Sequence, residues 1–151
     1  MKLLIQILLF LLIGYLTGCS GNKKSDIGSI NNKQPEIMYS EALFEFENNN
    51  YDKAIEKFSE IDLNFPLSNE AIQSQIMLAF IDYILLEYDA SIIKLEKIIS
   101  RYPSYKDIDY VYYLKAMCYY EQIENPQLDG QYNLLALQSF NQTINYFQNS
   151  E

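Results

Sequence analysis

Histidine and tryptophan are both absent from the 151 residues. Without His, the commonest general base and the commonest zinc ligand are missing, so triads, HExxH sites and mixed Cys/His metal sites cannot be built. No paired acidic motif stands out either, and neither an enzymatic activity nor a cofactor or metal is expected. Glycine and proline are scarce, 5 and 4 residues, which excludes collagen-like and low-complexity classes and argues against a loop-rich chain. Basic residues are few: 11 Lys and Arg against 20 Asp and Glu give a net charge of -9 and a pI near 4.4. Phosphate backbones would repel such a chain, so nucleic acid is not an expected partner. The two cysteines, Cys19 and Cys118, lie far apart and imply no disulfide framework. What is plentiful is apolar and aromatic: 49% of residues are hydrophobic, with 14 Tyr and 8 Phe, enough for a folded core packed through rings.

The amino terminus reads as a targeting segment. Met1-Lys2 precedes Leu3 to Ile13, apolar except for Gln6. This run is shorter than the about 20 apolar residues that span a bilayer, and no basic stop-transfer flank follows it. Leu16-Thr17-Gly18-Cys19 resembles the bacterial lipobox, in which a cysteine thiol accepts diacylglycerol before cleavage. Residues 1–18 are therefore expected to be a lipoprotein signal peptide, and Cys19 the lipidated residue. Cleavage there leaves 133 residues with ten basic and twenty acidic side chains. Two or more acyl chains anchor stably at about 0.8 kcal/mol per buried CH₂, so the membrane would be held through lipid without a basic patch. Ser20 follows in place of Asp, which by resemblance to enteric-type sorting points to the outer membrane. Residues 19–34 are almost wholly polar and small after the cysteine and read as a flexible tether of roughly 20 Å root-mean-square span.

From Pro35 onward the strongest signal is a repeat. Ala42, Ala79 and Ala116 recur at intervals of 37 residues, and Phe46, Tyr83 and Tyr120 share that register. Tyr51 and Tyr88, then Pro66 and Pro103, repeat the same interval. Within a unit, Tyr39, Ala42, Leu43 and Phe46, then Ala54, Ile55, Phe58 and Ile61, have helical apolar spacing. Ala42, Tyr51, Ala54, Phe58 and Pro66 fall on the tetratricopeptide pattern, in which paired helices cross at small residues. The expected fold is all-α, a tetratricopeptide-like solenoid of three antiparallel helix pairs over 35–151, with repeats at about 35–68, 69–105 and 106–151. The spacing predicts helices over 37–48, 52–64, 69–86, 89–101, 107–123 and 133–148. Asn48-Asn49-Asn50 is the first turn, because Asn tolerates the left-handed conformation at a helix end. Pro66 and Pro103 stop the second helices. The third unit carries an insertion of eight residues around Asn125-Pro126 and Asp129-Gly130. Its last helix places Leu134, Leu137, Phe140, Ile144 and Phe147 with no capping helix after it before Glu151.

The lipobox, the tether, and units ending in Asn64-Phe65-Pro66-Leu67-Ser68 and Arg101-Tyr102-Pro103-Ser104 resemble the BamD family of outer-membrane assembly factors. So does the stretch Asp107-Ile108-Asp109-Tyr110-Val111-Tyr112-Tyr113-Leu114 with Ala116 and Tyr119-Tyr120-Glu121-Gln122-Ile123, particularly as in alphaproteobacterial forms. Family members carry about five repeats, so three mark a short form. The resemblance implies a lipid-anchored subunit of the β-barrel assembly (BAM) complex at the periplasmic face of the outer membrane. Its implied partners are BamA, other BAM subunits and unfolded outer-membrane β-barrel proteins. In the family the docking to BamA is associated with carboxy-terminal repeats. A generic envelope repeat lipoprotein, a scaffold in cell division or pilus assembly, is the alternative.

Stacked repeats put the first helix of each pair on the concave side. The positions expected to face that groove are Tyr39, Leu43 and Phe46; Ile76, Phe80 and Tyr83; and Tyr110, Tyr113, Met117 and Tyr120. Such a surface suits an extended peptide with aromatic or aliphatic anchors, although aromatic stripes at helical spacing also serve as core. Glu36, Glu47 and Glu121 at the groove edge would disfavour acidic peptides. Cys118, mid-helix among apolar residues, reads as a packed small residue and not as a reactive thiol.

Overall fold

Six helices fold back on one another in a computed structural model of the chain, which describes residues 34–123 and 130–148, the side chains of the last two apart. They are α1 (Pro35–Glu47), α2 (Tyr51–Asn64), α3 (Asn69–Ile84), α4 (Tyr88–Arg101), α5 (Ile108–Glu121) and α6 (Gly130–Gln148), with no strand among the described residues. The architecture is the expected all-α, tetratricopeptide-like array of three pairs. Cys19, the tether and most of the inserted loop lie outside the described residues.

Helix ends follow from local chemistry. Pro35 occupies the first turn of α1, where a missing N–H costs nothing. Ser68 caps α3 by accepting from the Ala71 N–H at 3.0 Å. Acidic residues stand in the first turns of five helices, Glu36, Asp52, Glu70, Asp89 and Asp109, where the helix dipole favours them. At the other end, Phe65 and Tyr102 leave α2 and α4 at φ -132° and -129°. Each precedes a proline, which excludes helical backbone at the residue before it.

The turn within each of the first two pairs has one geometry. Asn49 sits at φ 59° and Leu86, 37 residues on, at φ 64°. The Asn49 and Asn50 N–H groups bond to Phe46 and Glu45 carbonyls, and those of Leu86 and Glu87 bond to Tyr83 and Asp82. Both are Schellman-type endings that satisfy carbonyls left free at a helix terminus. The left-handed residue ends α3 at Ile84, two residues before its predicted limit.

Packing repeats with the same register. Ala42, Ala79 and Ala116 are fully buried at the helix crossings, opposite Ala54, Ser91 and Ala136, all buried. Phe58 and Ile61 in the first pair and Leu95 and Ile98 in the second fill equivalent core positions. Ser91 keeps its hydroxyl satisfied by donating to the Ala79 carbonyl at 2.8 Å, and Cys118 Sγ donates to Ser91 Oγ at 3.3 Å. This chain of buried bonds ties α3, α4 and α5 together. Burial pushes the Cys118 thiol up, which keeps it protonated and unreactive. Lys57 pairs with Glu41 at 3.2 Å, and Lys94, its repeat equivalent, pairs with Asp82.

Every helix packs on the next in sequence, and α1 also touches α3, as α3 touches α5. Among the described residues α2 does not approach α4, nor α4 approach α6. First helices thus gather along one side while second helices splay apart, which curves the stack and makes the first-helix side concave. The third pair is stitched by rings: Tyr112 and Tyr146 stack with centroids 4.4 Å apart and hydroxyls 3.1 Å apart. No described helix is long and apolar enough to cross a membrane.

Candidate functional site

The residues expected on the concave side fall in three environments. Nearest the turns within pairs, Tyr51, Phe46, Phe80, Tyr83 and Tyr88 form a ladder of successive ring contacts with centroids 5.8–6.1 Å apart. Tilted and offset rings at this spacing contribute about 0.5–1.5 kcal/mol per pair beyond their burial. The ladder exists because Phe46 and Tyr83 hold the same repeat position and Phe80 reaches between them. These rings are half-buried, so they close the inter-repeat core on one side and face the groove on the other. Tyr83 donates at 3.5 Å to Glu121 on α5, and burial with that carboxylate raises its pKa.

At the opposite end of the groove the helices leave a cavity of about 340 Å³. Its wall is built from Tyr39 on α1, Gln73, Ile76 and Met77 on α3, Tyr105 and Asp107 from the α4–α5 connection, and Asp109 and Tyr110 on α5. Ile76, 7% exposed, is core and cavity floor at once. Tyr39 lies against Phe58 with ring centroids 5.5 Å apart, which fixes its ring at the rim of the first pair. Its phenol is pushed up to about 12 by burial first and then by Tyr105 and Glu70. Burial likewise raises Tyr105 and Tyr110, so all three hydroxyls remain protonated donors at neutral pH. The Tyr105 hydroxyl is buried close to Gln73 and Asp107 without hydrogen-bond geometry to either.

The third environment is the surface of α5. Tyr110, Tyr113 and Tyr120 are 40%, 43% and 55% exposed. Tyr113 and Tyr120 flank Phe140 of α6, each with centroids 6.4 Å from it. Leu43 and Met117 are half-buried, Leu43 against the first core. Of the ten expected groove positions, then, Tyr39, Ile76 and Tyr110 converge on one cavity, while Phe46, Phe80 and Tyr83 converge on the ladder. Gln73, Met77, Tyr105, Asp107 and Asp109 were not anticipated from the sequence. The signal for Gln73 and Met77 is their helical spacing around Ile76; the connection residues carry none, since they lie off any helix face. Among the described residues no cluster of His, Cys, Asp or Glu could hold a metal ion.

Residues 31–151 match a family described as "Outer membrane lipoprotein" (YfiO). Curated relatives named "Outer membrane protein assembly factor BamD" include one from Caulobacter vibrioides, 27% identical over 90% of this chain and 45% of its own length. One from Rickettsia prowazekii is 30% identical over the whole of this chain and 59% of its own length. One from Neisseria gonorrhoeae is 26% identical, covering 97% and 60%. The chain spans about half the length of the curated relatives it matches.

Proposed function

Since the chain belongs to the YfiO family of outer membrane lipoproteins, we propose that it acts in outer-membrane protein assembly, as its relatives' name describes, by binding unfolded chains. In this reading Cys19 carries the lipid that anchors the protein on the periplasmic side of the outer membrane. Residues 19–34 hold the helical array off the bilayer. The array works as a non-catalytic subunit of the BAM complex, presenting segments of unfolded β-barrel proteins to BamA.

The observation that carries the proposal is the first-helix side of the array, where partly exposed rings from α1, α3 and α5, the first helix of each pair, are gathered. Barrel strands alternate apolar and polar residues, and an extended strand spaces its same-face side chains by two residues, about 6.6–6.8 Å. Rings on adjacent repeats, together with tyrosine hydroxyls that can bond a peptide backbone, suit such a chain.

The test is direct. The purified full chain is titrated with a peptide matching the last strand of a barrel protein, and with the same peptide after its terminal Phe is replaced by Ser. Preference for the Phe form, and photocrosslinking of it from position 110, is the expected result. Equal affinity, or crosslinks confined to the second helices, would remove barrel-strand recognition. Recovery of BamA with the tagged chain from solubilised envelope tests the complex separately.

A further inference from the structure

The aromatic ladder and the cavity differ in charge as well as in shape. Ladder rings touch one another, which leaves an apolar anchor room only to lie across them. The cavity is open, and two carboxylates, Asp107 and Asp109, belong to its wall. Glu70, in the first turn of α3, lies near enough to raise the Tyr39 and Tyr105 phenols. No Lys or Arg lines the cavity. Lys106 pairs with one of these acids; its Nζ stands 3.7 Å from Asp107 Oδ2, both side chains are exposed, and such a pair is weak and easily exchanged. One Asp109 oxygen accepts the Tyr110 N–H at 2.8 Å, which holds the carboxylate in place and leaves its second oxygen available.

A wholly apolar side chain entering this space would strip water from two carboxylates and give nothing back. An arginine or lysine would lay its methylene stem on Ile76 and Met77, set its charge among the rings of Tyr39, Tyr105 and Tyr110, and offer N–H donors to the acids. We propose that this cavity receives the basic side chain of an extended polypeptide lying in the groove, so that recognition pairs apolar anchors on the ladder with one cation at the far end. The inference rests on the groove binding extended chains at all. The net charge of -9 acts in the same direction, drawing basic segments toward the surface.

The probes are two dye-labelled ten-residue peptides of alternating apolar sequence, identical except for a central arginine in one and citrulline, its neutral isostere, in the other. Anisotropy titrations use the full chain in a non-ionic detergent at low salt. The arginine peptide is expected to bind roughly tenfold more tightly. That preference should shrink to within about twofold on the Asp107→Asn/Asp109→Asn double variant, whose amides keep the shape and the bond to the Tyr110 N–H. An unchanged helical circular-dichroism spectrum and an unchanged thermal midpoint establish that the variant is folded. Equal affinities of the two peptides for the native chain overturn the cation assignment while leaving the groove reading intact. A preference that persists on the double variant also overturns it, because the cation then sits elsewhere. Failure of both peptides to bind removes the groove reading and this inference together.

Discussion

Leu86 is the residue whose replacement should stabilise the fold. It stands at φ 64°, where an L-residue's Cβ crowds the following carbonyl at a cost of about 1–2 kcal/mol. Leucine has no polar atom to offset that cost, and the side chain is 69% exposed, so little apolar burial rewards it. Asn49, the equivalent residue in the first repeat, adopts φ 59° with the chemistry that tolerates it. Leu86→Asn should relieve about 1 kcal/mol of strain and forfeit roughly 0.5 kcal/mol of residual leucine burial, a net gain of about 0.5 kcal/mol. With a urea m-value of about 1–3 kcal/mol/M, the midpoint should rise by about 0.2–0.5 M. The reciprocal change, Asn49→Leu, brings the strain into the first turn and removes the 2.9 Å bond that the Tyr51 hydroxyl donates to Asn49 Oδ1. It should cost about 1–2 kcal/mol. A midpoint that stays level or falls for Leu86→Asn at constant m, with Asn49→Leu neutral, would refute the claim that one turn geometry is imposed on two different sequences.

Three further outcomes follow from burial and from the amino-terminal motif. Ala42→Leu should overpack the fully buried crossing of α1 and α2 and destabilise by about 1–3 kcal/mol, so an unchanged denaturation midpoint would contradict the packing. Because the folded Tyr39 phenol keeps its proton to about pH 12 and the unfolded one only to 10, its contribution is intact below pH 10 and lost as pH rises toward 12. Discounted for the part of the ring left in water, that is roughly 1–2 kcal/mol. Tyr39→Phe should flatten the alkaline fall in stability followed by circular dichroism; an equally steep fall would point to other phenols. Cys19→Ala expressed in a Gram-negative host should be neither cleaved at residue 19 nor labelled by radioactive palmitate, and persistent labelling would exclude lipidation at that residue.

What was legible beforehand tracks how locally each feature is determined. The 37-residue register could be read from Ala42, Ala79 and Ala116 because a helix crossing tolerates only a small residue, and that demand leaves a mark at each repeat; all three are fully buried. Helix ends at Asn64 and Arg101 were legible because a proline constrains its own neighbour. The left-handed turn at Leu86 was not, since nothing in Leu85-Leu86-Glu87 asks for it; the repeat imposes it through the carbonyls of Tyr83 and Asp82. The same division runs through the groove. Assigning residues to one face of single helices picks out Phe46, Phe80 and Tyr83 of the ladder and the α5 tyrosines, whose environment depends on one helix and its neighbour. The cavity needs α1, α3, α5 and the connection carrying Tyr105 and Asp107 to be set at particular separations, and that spacing is a product of packing. Part of the charge therefore enters the site where helical periodicity carries no information, at Asp107, and the rest from Asp109 in the first turn of α5. A groove that sequence periodicity describes as apolar acquires its acidic end where the second pair is joined to the third.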